Sequence, residues 1–180
     1  MVDLVKFFEH ANRLKWTERQ GWVSKVKVKE SESVADHSYL TALVCMVISD
    51  MKRLNTKKVL KMALLHDLAE AITGDHMPDD LSEDSKRDLE MKAMQTILNK
   101  LPMKLRSDYG KLWKEYSEME SKEAKFVHQV DKLEMALQAN DYLKKGYDHR
   151  LLAQFFRSSR SGIEDKELLK ILNSLKRMKG

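Results

Sequence analysis

Residues that make tight turns are scarce in this chain. Six glycines and two prolines among 180 residues fall well below the roughly 7% and 5% of an average protein. Sandwiches, barrels and Pro/Gly-rich disorder all need more, and the helical spacing along the chain points to an all-α fold. The apolar fraction of 42% suffices for a core in a chain of this length. Helical spacing of apolar residues recurs nearly throughout. It predicts helices over 3–15, from Ser33 through Leu40, Leu43, Val44 and Val47, and from Asn55 or Thr56 to Gly74. Further helices follow over 82–100, 104–118 and 121–144, with two more at 148–158 and 164–178. Ser33 and Asp36 have capping-box spacing, with Asp in place of Glu. An acidic loop with Pro78 follows Gly74. No linker or repeat divides the chain, so residues 1–180 are expected to form one compact multi-helix domain.

The formal net charge is +5, and all of that excess lies between Arg13 and Lys29. A neutral body with one basic segment points to a local anionic ligand and away from a broad nucleic-acid surface. Within the segment, VSKVKVK alternates valine and lysine. Period two predicts a short extended piece near residues 22–30 with a solvated lysine edge of Lys25, Lys27 and Lys29. The single cysteine, Cys45, lies in an apolar run and is expected to fill the core, with no disulfide framework. The longest apolar run, Leu40 to Ile48, is about half of what a bilayer span requires. The amino terminus lacks a signal-peptide apolar block, so a cytoplasmic protein without a membrane partner is expected.

Three places put charged or metal-ligating side chains where a core would exclude them. Asp36-His37 opens an apolar helix, His66-Asp67 interrupts ALLHDLAEAI, and Asp131 shares an inward face with Ala124, Val127, Met135 and Gln138. An isolated buried carboxylate is too costly to keep unpaired. Each residue has an ordinary reading as well: a hydrogen-bonded core histidine, or an aspartate paired with a lysine. A single cation shared by His37, His66, Asp67 and Asp131 would satisfy all of them together.

The ordered set H…HD…D resembles the HD-domain metal-dependent phosphohydrolases. The strings LKWTERQGWV, ESVADHSY, ALLHDLAEAITGD, LWKEYSE and EAKFVHQVDKLEMALQA look like its 5′-deoxynucleotidase branch. The likeness covers about residues 3–145 and is weaker from Asp148 onward. It implies His37, His66, Asp67 and Asp131 as ligands of one divalent ion: Mn, Co, Fe, Ni, Zn or Mg. It also implies catalytic roles for Glu70 and Asp75, Glu70 acting on the attacking water and Asp75 moving a proton near the phosphate or leaving oxygen. Without the family, Glu70 reads as an i,i+4 partner and Asp75 as a turn former. Arg19 aligns with the branch's phosphate-binding arginine, and its fork suits phosphate oxygens. The resemblance also implies a substrate-contacting tryptophan beside that arginine, which falls on Trp22 with Gln20 and Gly21 intervening where some relatives have Arg-Trp adjacent; the alternative is that Trp22 anchors the segment in the core.

The function so implied is metal-dependent hydrolysis of deoxyribonucleoside 5′-monophosphates, in a homodimer like several members of the branch. The same site on a cyclic nucleotide, (d)NTP or alarmone is the alternative enzyme. A nucleic-acid-binding helical module using Arg13 to Lys29, with Trp16 and Trp22 as stacking aromatics, is the alternative of another class.

Overall fold

Residues 2–77, 80 and 82–177 are described in the computed structural model, the side chains of the last two apart. Among them are nine α-helices: α1 (Leu4–Arg13), α2 (Val34–Met51), α3 (Thr56–Leu65), α4 (Glu70–Thr73), α5 (Glu83–Leu98), α6 (Met103–Ser117), α7 (Lys122–Lys144), α8 (His149–Gly162) and α9 (Lys166–Arg177). Short polar side chains set where several of these start. Asp3, Ser33, Asn55, Ser82, Ser121 and Asp148 each accept a backbone N–H of the first turn they precede, filling donors that a helix leaves unpaired. At Ser33 the capping box is complete, because Asp36 accepts the Ser33 N–H at 2.9 Å while Ser33 Oγ accepts the Asp36 N–H.

The long helix α7 packs against α2, α3, α6, α8 and α9. Ala124, Val127, Val130, Leu133, Ala136 and Ala139 are all wholly enclosed, as expected of a helix surrounded on every side. Cys45 joins them in the core as expected. A second apolar cluster joins Leu14, Leu65, Leu68, Met94, Ile97 and Trp113. A third seats Trp22, Val26 and Val28 on Ala139, Tyr142, Leu152 and Phe155. No helix among the described residues is long and apolar enough to cross a membrane.

Three expectations are corrected. The basic segment is not extended near 22–30: Trp22–Val26 form a wide π-helical turn closed by Lys27 in the left-handed region (φ 64°). A period of two needs a neighbouring strand to pair with, and the only bridge among the described residues is Glu18 with Ser33 at the base of the segment. The wide turn instead points Trp22 and Val26 together into the third cluster. The helix predicted from residue 55 to Gly74 is broken, with turns over 66–69. The buried face of α2 is Val34, His37, Thr41, Cys45 and Ile48, whereas Leu43 and Val47 are exposed. Every α2 position from Ala42 to Ile48 is apolar, so spacing alone did not select a face. Pro78 in the acidic loop lies outside the described residues, as does the last residue of the helix expected at 164–178.

Candidate metal and phosphate site

His37 reaches the interior because the Ser33 capping box starts α2 one turn before it, on the face that carries Thr41 and Cys45. His66 follows the last residue of α3. There the chain tightens, with Leu68 N–H donating to Leu65 O, Glu70 N–H to Asp67 O and Ala71 N–H to Leu68 O. These i→i−3 bonds are 3₁₀ geometry, in which residues three apart eclipse, so Asp67 and Glu70 stack on one side. The freed His66 carbonyl is taken by the Trp113 indole N–H at 3.3 Å. Asp131 comes from the middle of α7.

His37, His66 and Asp67 meet at one point, and Asp131 reaches that point from the side of His37. His66 Nε2 lies 3.3 Å from His37 Nε2 and 3.0 Å from Asp67 Oδ2. His37 Nε2 lies 3.1 Å from Asp131 Oδ1 and 3.6 Å from Asp67 Oδ2. The other nitrogen of each ring is committed elsewhere: His66 Nδ1 faces Ala63 O at 2.7 Å, and His37 Nδ1 is paired with Glu134. Both outer partners are acceptors, so each ring in its neutral form carries the proton on Nδ1 and turns the Nε2 lone pair inward, where a bound ion would take the place of a proton. His37, His66 and Asp67 have ligand-capable atoms within 4.8 Å of one another and could hold a metal ion, with Asp131 adjoining them through His37.

Electrostatics agree. Burial and Arg19 disfavour a charged His37, but Glu134 and Asp131 outweigh them and push it up to about 10. Burial alone would raise Asp67, yet His66, Arg19 and His37 hold it below the carboxylate range. Asp131 is likewise lowered against its burial, by Lys132, His37 and His66. The pocket demands positive charge at its centre.

Arg19 supplies part of that charge at the rim. Its Nη1 bonds Asp75 Oδ1 at 3.2 Å and lies 3.6 Å from Asp67 Oδ2. The second Asp75 oxygen accepts the Gln20 backbone N–H at 2.6 Å, so Asp75 ties the basic segment to the chain just after Gly74. Glu70 is buried beside Asp67, with Oε2 lacking any hydrogen-bond partner. Its burial, with Asp67 and Asp75 nearby, raises it well above an ordinary glutamate. Arg19, His66, Asp67, Glu70, Asp75 and Asp131 all line one cavity of about 440 Å³.

Trp22 lines the same cavity, but only 2% of it is exposed. Its ring stacks on Phe155 at 4.0 Å between centroids, and its indole N–H donates to Glu32 at 2.7 Å. Trp22 thus anchors the segment in the core while it borders the cavity. Lys27 and Lys29 form the expected solvated edge, whereas Lys25 is partly buried and lines the cavity. Sequence reasoning missed Glu134, wholly buried against His37. Its signal was available, because it lies three residues after Asp131 on the same inward side of α7.

The family model for the HD domain matches residues 11–172 of the chain. Human 5′-deoxynucleotidase HDDC2 is 38% identical over 174 residues, 96% of this chain and 84% of that protein. The 5′-deoxynucleotidase hdd1 of Schizosaccharomyces pombe is 35% identical over 159 residues, 86% of this chain and 79% of that one. Among solved structures, the PH0347 protein from Pyrococcus horikoshii OT3 superposes with a TM-score of 0.81 at 33% identity, covering 97% of this chain and 99% of that one. The match extends through α8 and most of α9, where the sequence resemblance was weakest. Alike in sequence and in backbone over nearly its whole length, the chain belongs to the HD domain family.

Proposed function

We propose that the chain is a metal-dependent phosphomonoesterase that hydrolyses deoxyribonucleoside 5′-monophosphates to a deoxynucleoside and phosphate. The observation that carries this reading is the convergence of His37, His66, Asp67 and Asp131 with the Arg19 guanidinium 3.6 Å from Asp67. The volume of about 440 Å³ is in the range of small-molecule sites. The substrate class follows the names of the relatives described above.

A divalent ion held by the two imidazoles and two carboxylates would supply Lewis acidity and acidify water. Mixed nitrogen and oxygen ligands favour Mn, Co, Fe, Ni or Zn over Mg. Asp67, Glu70, Asp75, Glu90 and Asp131 line the cavity together with Arg19, Lys25, Lys86 and Lys132, so a bound ion would tip the balance toward a phosphate dianion. Arg19 binds the phosphate oxygens through its fork, and Asp75 holds that fork in place with both of its own oxygens engaged. Glu70 is the proton carrier. Its carboxyl is buried, one oxygen is unpartnered, and its raised proton affinity lets it take and return a proton more readily than an ordinary glutamate.

We also place the protein in the cytoplasm, as one domain over residues 1–180. A homodimer is supported by Tyr39, Leu43, Val47 and Met51, an exposed apolar stripe along α2.

With Mn or Co, the purified protein should release phosphate from dAMP, dGMP, dCMP and dTMP. His66→Ala and Asp67→Ala should reduce release to background, and unchanged turnover in either variant defeats the site assignment. Equal rates on ribonucleotides would broaden the activity to a general nucleotidase.

A further inference from the structure

Glu134 is wholly buried, and its carboxylate is paired with His37. One oxygen, Oε2, pairs with His37 Nδ1, and the other, Oε1, has no hydrogen-bond partner. Asp131 and Glu134 are three apart on α7, so a single turn presents one carboxylate to the inner nitrogen of His37 and the next to its outer nitrogen. Glu32 lies alongside: Glu32, His37 and Glu134 have ligand-capable atoms within 4.8 Å of one another. Glu32 is itself held from both ends, since its carboxylate accepts the Trp22 indole N–H and its backbone N–H donates to the Tyr142 hydroxyl at 2.8 Å.

We propose that Glu134 is a positioning residue for the cation: by accepting the His37 Nδ1 proton it fixes the ring plane and tautomer, so that the Nε2 lone pair faces the metal point. The inference rests on His37 being a cation ligand, as proposed above. A buried imidazole without that acceptor can rotate or exchange its tautomer, and then offers an N–H where the ion needs a lone pair. Carboxylates behind metal-bound histidines typically contribute about 10–100-fold in metal affinity. The Trp22–Glu32 hydrogen bond keeps the neighbouring carboxylate from swinging into that position, linking the Arg19 segment to the ligand shell.

Two substitutions separate orientation from charge. Glu134→Gln keeps an oxygen for the His37 N–H and turns an amide N–H toward Glu32, whereas Glu134→Ala removes the acceptor. Zinc affinity of the full chain is measured by competition with a coloured chelator. The imidazole N–H proton resonances of the zinc-loaded protein are recorded by NMR, with circular dichroism confirming the fold.

The wild type is expected to bind one zinc and show a downfield N–H resonance that Glu134→Gln shifts upfield. Glu134→Ala should lose that resonance and at least tenfold in affinity, with Glu134→Gln between it and wild type. Affinity of Glu134→Ala within twofold of wild type overturns the proposal. So does equal weakening in both variants, since charge and not orientation would then be responsible. A second zinc equivalent abolished by Glu134→Gln also overturns it, by making Glu134 a ligand. Should Glu134→Ala not fold, an unmoved resonance in Glu134→Gln is the overturning result. Failure of the wild type to bind zinc, by contrast, strikes at the cation reading itself.

Discussion

Glu70 and Glu134 are both buried acids, and their surroundings give them different work. Glu134 is spent on His37, while Glu70 keeps one oxygen free of protein partners and lines the cavity. Glu70→Gln preserves size and removes only proton exchange. It should lower kcat by about 10²–10⁴-fold and leave KM within a few-fold, as steady-state phosphate release would show. An equal loss in KM would make Glu70 a binding residue. At this scale the sequence was informative wherever a polar side chain broke an apolar pattern: His37, His66-Asp67 and Asp131 all stood out that way. Arg19 and Asp75 did not. Their pairing joins residues 56 positions apart, and only the family likeness named them. Glu134 lay on a face whose inward polarity had already been credited to Asp131.

Apart from the separate α4, the helices and most of their starts were legible at the level of elements, because caps and periodicity are local properties. The wide turn at Trp22–Val26 and the break over 66–69 were not, since both answer to tertiary demands: a seat for Trp22 on Phe155, and the delivery of two neighbouring residues to one point. The face of α2 was hidden for the opposite reason, too much hydrophobicity. Helix α9 shows how a late element is fastened. Asp165 accepts the N–H groups of Glu167 and Leu168, and pairs with Lys52 at 2.6 Å. Gln129 on α7 accepts the N–H groups of Glu164 and Asp165. Partial burial pushes the Asp165 carboxyl up, but Lys52 and the two backbone donors outweigh it and hold it below the ordinary value. A depressed carboxylate stabilises the fold above its unfolded pKa of about 3.9, and that contribution fades as pH falls through the lower folded value. Asp165→Ala should therefore cost about 1–2 kcal/mol in urea melts at pH 7, with the difference from wild type shrinking in acid. A pH-independent difference would assign the loss to packing.

At the scale of the whole molecule, the proposed site is a fault in the core that a bound cation would repair. Asp67 and Asp131 bring negative charge from two separate elements to the lone pairs of His37 and His66, so binding should hold those elements together. At about a hundred times its Kd, zinc should add about 2.7 kcal/mol, a rise in Tm of about 5–10 °C for a chain of this size. Thermal melts with zinc and with a chelator test this, and Asp131→Ala should erase the rise. A Tm indifferent to metal in the wild type would mean that the four groups do not act as one site. One further feature bears on how such a chain tolerates change. The basic segment is pinched at its base, where Arg19 N–H donates to Glu32 O and Val34 N–H to Thr17 O, beside the bridge of Glu18 with Ser33. The arginine is addressed by that neck and not by what hangs beyond it. Lys27, Lys29 and Glu30, exposed at the far end, can thus be substituted without moving the neck that holds Arg19 in place.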